Sequence, residues 1–306
     1  MKQVTVYPSG TVANMVCGFD VLGFALEEPC DKMTLRLIPE KTVRIIHHDN
    51  YNLPTQPEKN VAGVALLALL KEINLNTGFE VEITKVIKPG SGIGSSAASA
   101  AGAVFGANIL LGNIFSKTDL VRLAMFGEEI ASGAKHADNI APCIFSGVTL
   151  VRSNHPLDIV EIDFPELYVT VIHPQIEVKT SEARKLLQPA VPLGNAVKQW
   201  ANVGALVAGL MKKDYSLIGR SLHDYVAEPF RAALIPKFEE LKEKSLETGA
   251  LGGGISGSGP SVFMLSKDLN TAKCVGDAMS KVYAETGFDF HIHVTTVNRH
   301  GIRVEP

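Results

Sequence analysis

One segment restricts the fold more than any other: Pro89-Gly90-Ser91-Gly92-Ile93-Gly94-Ser95-Ser96-Ala97-Ala98-Ser99. Before it, Phe79–Ile87 alternates apolar and polar residues as a strand does, with Val81, Ile83 and Lys85 on one face. After it, an alanine-rich helix opens at Ser95, runs to about Leu111 and stops at Gly112-Asn113. Strand, glycine loop and helix in that order make an anion cradle. Glycines let the backbone turn sharply and approach a ligand without a Cβ in the way. The first N–H groups of the helix lack partners and carry partial positive charge, and phosphate is the usual anion there. Ser95, Ser96 and Ser99 add hydroxyls that can bond phosphate oxygens or reach Mg2+. The P-loop pattern is not met, because no lysine precedes the serines. Neither is the dinucleotide fingerprint, because Gly90, Gly92 and Gly94 are spaced otherwise. The bland alternative is close packing by a helix of small residues.

The rest of the chain mixes strands and helices. Strands are expected at Gln3–Tyr7, Met33–Ile38 and Val43–His47, then at Cys143–Val151. Asn60 can cap an apolar helix, and Thr118 or Asp119 can cap another that reaches about Ser132. Further on, strands are expected at Ile159–Ile162, Tyr168–Ile172, Ser261–Leu265 and Asp289–Thr296. Helices are expected at Ser181–Leu187, Ala196–Met211, Ile235–Thr248 and Leu269–Thr286. Gly252–Gly259 reads as a turn. There is no strict βαβα rhythm, so the expected class is α+β. A chain of 306 residues suggests two domains, divided as 1–158 and 159–306.

Charge and cysteine usage narrow the partners. The net charge is −3, with acids and bases interleaved, so neither nucleic acid nor an acidic membrane is expected as a partner. Cys17, Cys30, Cys143 and Cys274 lie far apart and suggest no zinc or disulfide framework. A cytoplasmic location is expected. The N-terminus turns polar too early for a signal peptide, and Val61–Leu70 is too short to span a bilayer.

Two more segments accompany the loop: Pro8-Ser9-Gly10-Thr11-Val12-Ala13-Asn14-Met15-Val16-Cys17-Gly18-Phe19-Asp20 and Gly252-Gly253-Gly254-Ile255-Ser256-Gly257-Ser258-Gly259-Pro260. Three motifs in this order, across nearly the whole chain, resemble those of the GHMP kinases. Lys135-His136-Ala137-Asp138-Asn139-Ile140-Ala141-Pro142, Thr180-Ser181-Glu182-Ala183-Arg184 and Glu228-Pro229-Phe230-Arg231 look most like the branch of that family acting on L-homoserine. The resemblance implies an N-terminal domain like the second domain of ribosomal protein S5 and a ferredoxin-like C-terminal domain. ATP and substrate would share the cleft between them, and a homodimer is expected.

The resemblance also implies roles. Pro89, Gly90, Ser91, Gly92, Ile93, Gly94, Ser95, Ser96, Ala97 and Ser99 would hold ATP, with Asn60 reaching the adenine side or simply capping its helix. Ser96 and Glu128 would hold Mg2+. Homoserine is a zwitterion with a primary hydroxyl. Arg184 and Arg231 would take its carboxylate, because guanidinium binds carboxylate bidentately. Asp20, with Asn14, would take its ammonium. Asn139 would orient the hydroxyl, and His136 would shape the pocket, with Asp138 the rival for the part of general base. Val16 stands where the family has glycine, and a β-branched residue resists φ > 0. The alternatives are a GHMP kinase for another small alcohol, and a nucleotide-binding member without catalysis. A dinucleotide-dependent oxidoreductase comes third.

Overall fold

The structure, a computed structural model, describes residues 2–178 and 180–305. Met1, Lys179 and Pro306 of the two expected domains lie outside the described residues. In chain order the strands β1 (Gln3–Tyr7), β2 (Ser9–Ala13), β3 (Leu22–Cys30), β4 (Lys32–Ile38) and β5 (Val43–His47) come first. Helix α1 (Val61–Glu72), β6 (Gly78–Thr84), α2 (Ser95–Leu110), α3 (Lys117–Ser132), α4 (Ile140–Phe145), β7 (Val148–Asn154) and β8 (Leu157–Ile162) follow. Then come β9 (Tyr168–Pro174), α5 (Thr180–Lys185), α6 (Leu193–Lys212), α7 (Tyr215–Ser221), α8 (Glu228–Arg231) and α9 (Phe238–Glu247). The last elements are β10 (Gly252–Ile255), β11 (Val262–Ser266), α10 (Leu269–Ala284), β12 (Phe290–Thr296) and β13 (Arg303–Val304).

The class is α+β, as expected. One sheet runs β13-β1-β4-β6-β5, a second β2-β3-β7-β8 and a third β10-β11-β9-β12. Alternation along β6 buries Phe79, Val81 and Ile83 against α1, α2 and α3. The third sheet packs one face on α9 and α10 through Val262, Met264, Leu241 and Val275. Its other face joins the second sheet and α6 in a shared core, where Phe24 meets Phe263 edge-on with centroids 5.5 Å apart. Each buried phenylalanine contributes roughly 1.5–3 kcal/mol. The two halves are therefore joined by core packing.

Residue 158, the expected division, lies inside β8, which pairs with β7 along its length. Residues 163–167 lead from the second sheet to the third, and β13 returns to pair with β1. Several expected elements are corrected. The strand expected at Cys143–Val151 is instead α4 followed by β7. A short apolar run buried on all sides has no periodicity to tell helix from strand. Helix α3 is capped by Ser116, not by Thr118 or Asp119. Asp119 closes the capping box, receiving the Ser116 N–H at 3.2 Å. The turn expected at Gly252–Gly259 begins with β10. Strands β2 and β3 were not anticipated, because glycine and proline interrupt their alternation. No helix among the described residues is long and apolar enough to cross a membrane.

Candidate active site

The N-terminus of α2 faces a cleft of about 430 Å3, walled by both halves of the chain. Gly90, Gly92 and Gly94 all take left-handed φ, at 75, 82 and 69°. The loop between β6 and α2 therefore needs glycine at these corners. Its two ends are stapled together. Lys85, just beyond β6, is buried, forms an ion pair with Asp31 and donates to Ser95 O at 2.8 Å and Ser99 Oγ at 2.9 Å. Asp31 Oδ1 accepts from the N–H groups of Val86 and Ile87 at 2.8 and 2.9 Å. Ser95 Oγ donates to Ile87 O at 2.8 Å. The alternation of Val81, Ile83 and Lys85 already placed this lysine on the buried face. Neither it nor Asp31 was anticipated as part of the site.

The glycine-rich segment after β10 supports the loop from the other half of the chain. Ser256 Oγ donates to Gly92 O at 2.7 Å, and Ser261 Oγ to Ser91 O at 2.6 Å. A Cβ on Gly92 would lie 2.6 Å from Gly259 O. Ser256 is thus committed to the loop backbone and is not free for a phosphate. Ser258 lines the cleft and is within 3.1 Å of Thr180 Oγ1.

Among the loop serines, Ser95 and Ser99 are engaged as described, and Ser96 turns to α3. Its Oγ donates to Glu128 Oε2 at 2.8 Å. Glu128 is 9% exposed. Burial pushes its carboxyl up to about 7, against the opposing hydrogen bonds from Ser96 and Ser132. A buried carboxylate with hydroxyl partners at a phosphate cradle has the hard oxygen chemistry that suits Mg2+.

The far end of the cleft carries charge. Arg184 Nη2 donates to both oxygens of Asp20 at 2.9 Å. Arg184 and Arg231 both lie over the Phe19 ring, at 5.5 and 5.3 Å from its centroid. Arg231 is buried, and that burial holds its pKa below the ordinary arginine value. Its Nη1 donates to Gly257 O at 3.0 Å, and Asn14 Nδ2 donates to the same oxygen at 2.9 Å. Asn14 Oδ1 accepts the Asp20 N–H at 3.0 Å. Both ends of the Asn14 amide therefore serve to position its neighbours. Residues Asn14, Met15 and Val16 form a left-handed turn, with φ of 70, 45 and 64°. Val16 accepts the conformation it was expected to resist, held by its place in the shared core. The strain costs roughly 1–2 kcal/mol.

Between the two ends lie His136, Asp138 and Asn139. His136 Nδ1 is 3.9 Å from Asp20 Oδ2, and its Nε2 is buried without a partner among the described residues. Burial lowers its pKa, with Asp20 opposing and Arg184 adding to the shift. Asn139 Oδ1 accepts from Thr11 Oγ1 at 2.8 Å. Thr11 is buried in β2 and was not singled out from sequence. Burial, then the charges of Asp20 and Glu128, push the Asp138 carboxyl up to about 7.

The cleft gathers Asn14, Asp20, Glu128, His136, Asn139, Arg184 and Arg231, together with Pro89, Gly90, Ser91, Gly92, Gly94, Ser95, Ser96 and Ser99. It does not gather Ile93, Ala97 or Asn60. Ile93 and Ala97 are apolar and buried in the cores. Asn60 caps α1, accepting from the N–H groups of Ala62 and Gly63 at 3.0 and 3.2 Å, while its Nδ2 donates to Pro54 O at 2.7 Å. Of its two expected parts, the structure assigns Asn60 the helix cap.

The model of the GHMP kinases N terminal domain matches residues 60–147, and that of the GHMP kinases C terminal domain matches residues 206–285. The homoserine kinase of Chloroherpeton thalassium is 45% identical over 318 residues, spanning 99% of this chain and 100% of that protein. The homoserine kinase of Chlorobaculum tepidum is 47% identical over 296 residues, spanning 92% and 91%. The crystal structure of homoserine kinase from Cytophaga hutchinsonii superposes with a TM-score of 0.95 at 47% identity, covering 100% of this chain and 98% of that one.

Proposed function

The chain belongs to the GHMP kinase family, and from that premise we propose that it is a homoserine kinase. It moves the terminal phosphoryl group of ATP to the hydroxyl of L-homoserine, giving ADP and O-phospho-L-homoserine on the path to threonine. The observation that carries the substrate is the paired charge at one end of the cleft. Asp20 and Arg184 face each other there, with the Arg231 guanidinium beside them on the same ring. A zwitterionic amino acid can insert between them. Its ammonium meets Asp20, and its carboxylate meets the two guanidiniums.

The phosphates of ATP lie on the loop and the first turn of α2, whose free N–H groups and dipole favour them. Ser96 and Glu128 would hold Mg2+, which would offset the phosphate charge. The side chain of the bound amino acid reaches toward Asn139, whose amide is fixed by Thr11 and orients the hydroxyl. The bond from that oxygen to phosphorus forms as the bond to the ADP oxygen breaks. The hydroxyl proton passes to the transferred phosphoryl group. Because the transition state is loose, positioning and charge stabilisation supply most of the rate. Asp138 supports a second route. It lines the cleft, and a carboxyl titrating at about 7 is matched to the work of a base. The protein works in the cytoplasm, as a homodimer.

A coupled ADP-release assay with Mg-ATP tests the reading against L-homoserine, D-homoserine, L-serine, L-threonine, mevalonate, galactose and shikimate. Strong preference for L-homoserine is expected. Preference for another alcohol would overturn the substrate, and silence with ATP still bound would point to a binding protein.

A further inference from the structure

Behind the phosphate loop lies a second cleft of about 210 Å3, lined by His173, Gln175, His291, His293, Lys88 and Tyr51. Its wall is completed by Pro29 and by apolar residues that flank the loop, Val86 and Ile87 before it and Ile93 within it. No carboxylate lines it among the described residues. The imidazoles come from paired strands. His291 on β12 sits opposite His173 on β9, with ring centroids 6.3 Å apart, and His293 follows on the same face.

The polar groups are built into a chain. Lys88 Nζ donates to Gln175 Oε1 at 2.8 Å. The amide nitrogen of Gln175 then donates to His173 O at 3.1 Å and lies 3.3 Å from His173 Nδ1. With Nδ1 as the acceptor, the neutral ring carries its proton on Nε2. His173 is 4% exposed. A buried imidazole, an ammonium and two further imidazoles thus border one space, with no carboxylate in its lining among the described residues. These histidines do not converge on a common metal-binding point among the described residues.

We infer that this second cleft binds a small oxyanion of phosphate size, held by Lys88, His173 and His291, in contact with the back of the phosphate loop. The volume falls below the ~300 Å3 at which pockets begin to hold drug-sized ligands, so a small ion fits better than a nucleotide. Burial, followed by the nearby charges of Lys88, His291 and His293, holds the His173 pKa down to about 4. Burial and His291 also lower that of His293. An anion among these rings favours their protonated forms. It therefore raises the pKa values of His173 and His293, takes up protons on binding, and binds more tightly as pH falls. The residues that close this cleft also flank the loop, so an occupant bears directly on the ATP site.

Calorimetric titration with inorganic phosphate tests this on the full chain with the first cleft filled by Mg2+ and AMP-PNP. One remaining phosphate site per chain is expected, tighter at about pH 6 than at about pH 8. It should weaken about tenfold in Lys88→Met, the size of one lost charge-assisted hydrogen bond. His291→Asn, on the exposed side of the cluster, should weaken it at low pH and serves if Lys88→Met disturbs the loop. No binding once AMP-PNP is present would overturn the inference. So would binding that survives both variants but disappears in Arg231→Met, because the anion would then sit on the arginines of the first cleft.

Discussion

Arg184 closes on Asp20 with one nitrogen, 2.9 Å from each carboxylate oxygen, across 164 residues of sequence. The pair already holds the two charges that an incoming amino acid brings. On the proposed reading, substrate would exchange one internal ion pair for two external ones, and neither charge would be left bare in either state. Asp20→Asn releases Arg184 and would remove the proposed partner of the ammonium. The KM for L-homoserine should rise about tenfold or more, with the KM for ATP little changed. Steady-state kinetics with each substrate varied in turn checks this. Equal rises for both would count against Asp20 as a substrate residue.

Glu128 gives a pH dependence of definite sign. Its carboxyl titrates at about 7 in the folded protein, above the ordinary value of 4.5. Between those values the folded state holds a proton that the unfolded state has lost, so stability falls as pH rises through this window. A cation held at Ser96 and Glu128, as proposed, would compete with that proton. Mg2+ affinity should therefore fall as pH drops below about 7, and Glu128→Gln should flatten the pH profile and lower kcat. Melting temperatures and Mg2+ titrations across pH read both effects.

Asp138 and Asn139 can be separated. If the hydroxyl proton goes to the phosphoryl group, Asp138→Asn keeps kcat within about tenfold, whereas a lost general base costs roughly 10²–10⁴-fold. Asn139→Leu should lower kcat more than it changes either KM. Thr11→Val, which removes the donor that fixes Asn139, should give a smaller loss in the same direction.

The three loop glycines should differ in tolerance. At Gly90 a Cβ would meet nothing within 4 Å, so Gly90→Ala bears only the left-handed φ, roughly 1–2 kcal/mol. At Gly92 the same atom would press on Gly259 O at 2.6 Å. At Gly94 it would collide with Thr11 Oγ1. Gly92→Ala and Gly94→Ala should therefore raise the KM for ATP and lower the melting temperature far more than Gly90→Ala.

Lys85→Met leaves Asp31 buried with two N–H donors but no counter-charge. Breaking a buried pair in this way costs about 3–5 kcal/mol. Adding Asp31→Asn removes the orphaned charge and should restore part of that. Denaturant unfolding of both single variants and the double variant measures the coupling.

The sequence made the site legible where chemistry sits in a continuous string. Gly90 to Ser96, Asp20, Arg184 and Arg231 could be read because short motifs carry them. Lys85, Asp31 and Thr11 could not, because each acts through a partner distant in the chain, and no local pattern marks such pairing. The same limit hid the work of Ser256 and Ser261, whose acceptors lie in the other half. Asn60 was open to two parts in the sequence, and its hydrogen bonds to Ala62, Gly63 and Pro54 show the helix cap. In the fold, β6 and α2 were clear because their periodicities are clean. Strand β3 was obscured by glycine and proline, and α4 by burial on every side.

The serine hydroxyls that reach from the third sheet to the carbonyls of Ser91 and Gly92 bear on how such a protein can be inherited. The glycine loop before α2 is encoded in one half of the gene and finished by the other. Recombination that exchanged one half with a distant relative would carry a loop away from the scaffold that shapes it. Drift in either glycine segment would meet resistance from the other, so the two are expected to change together over evolutionary time.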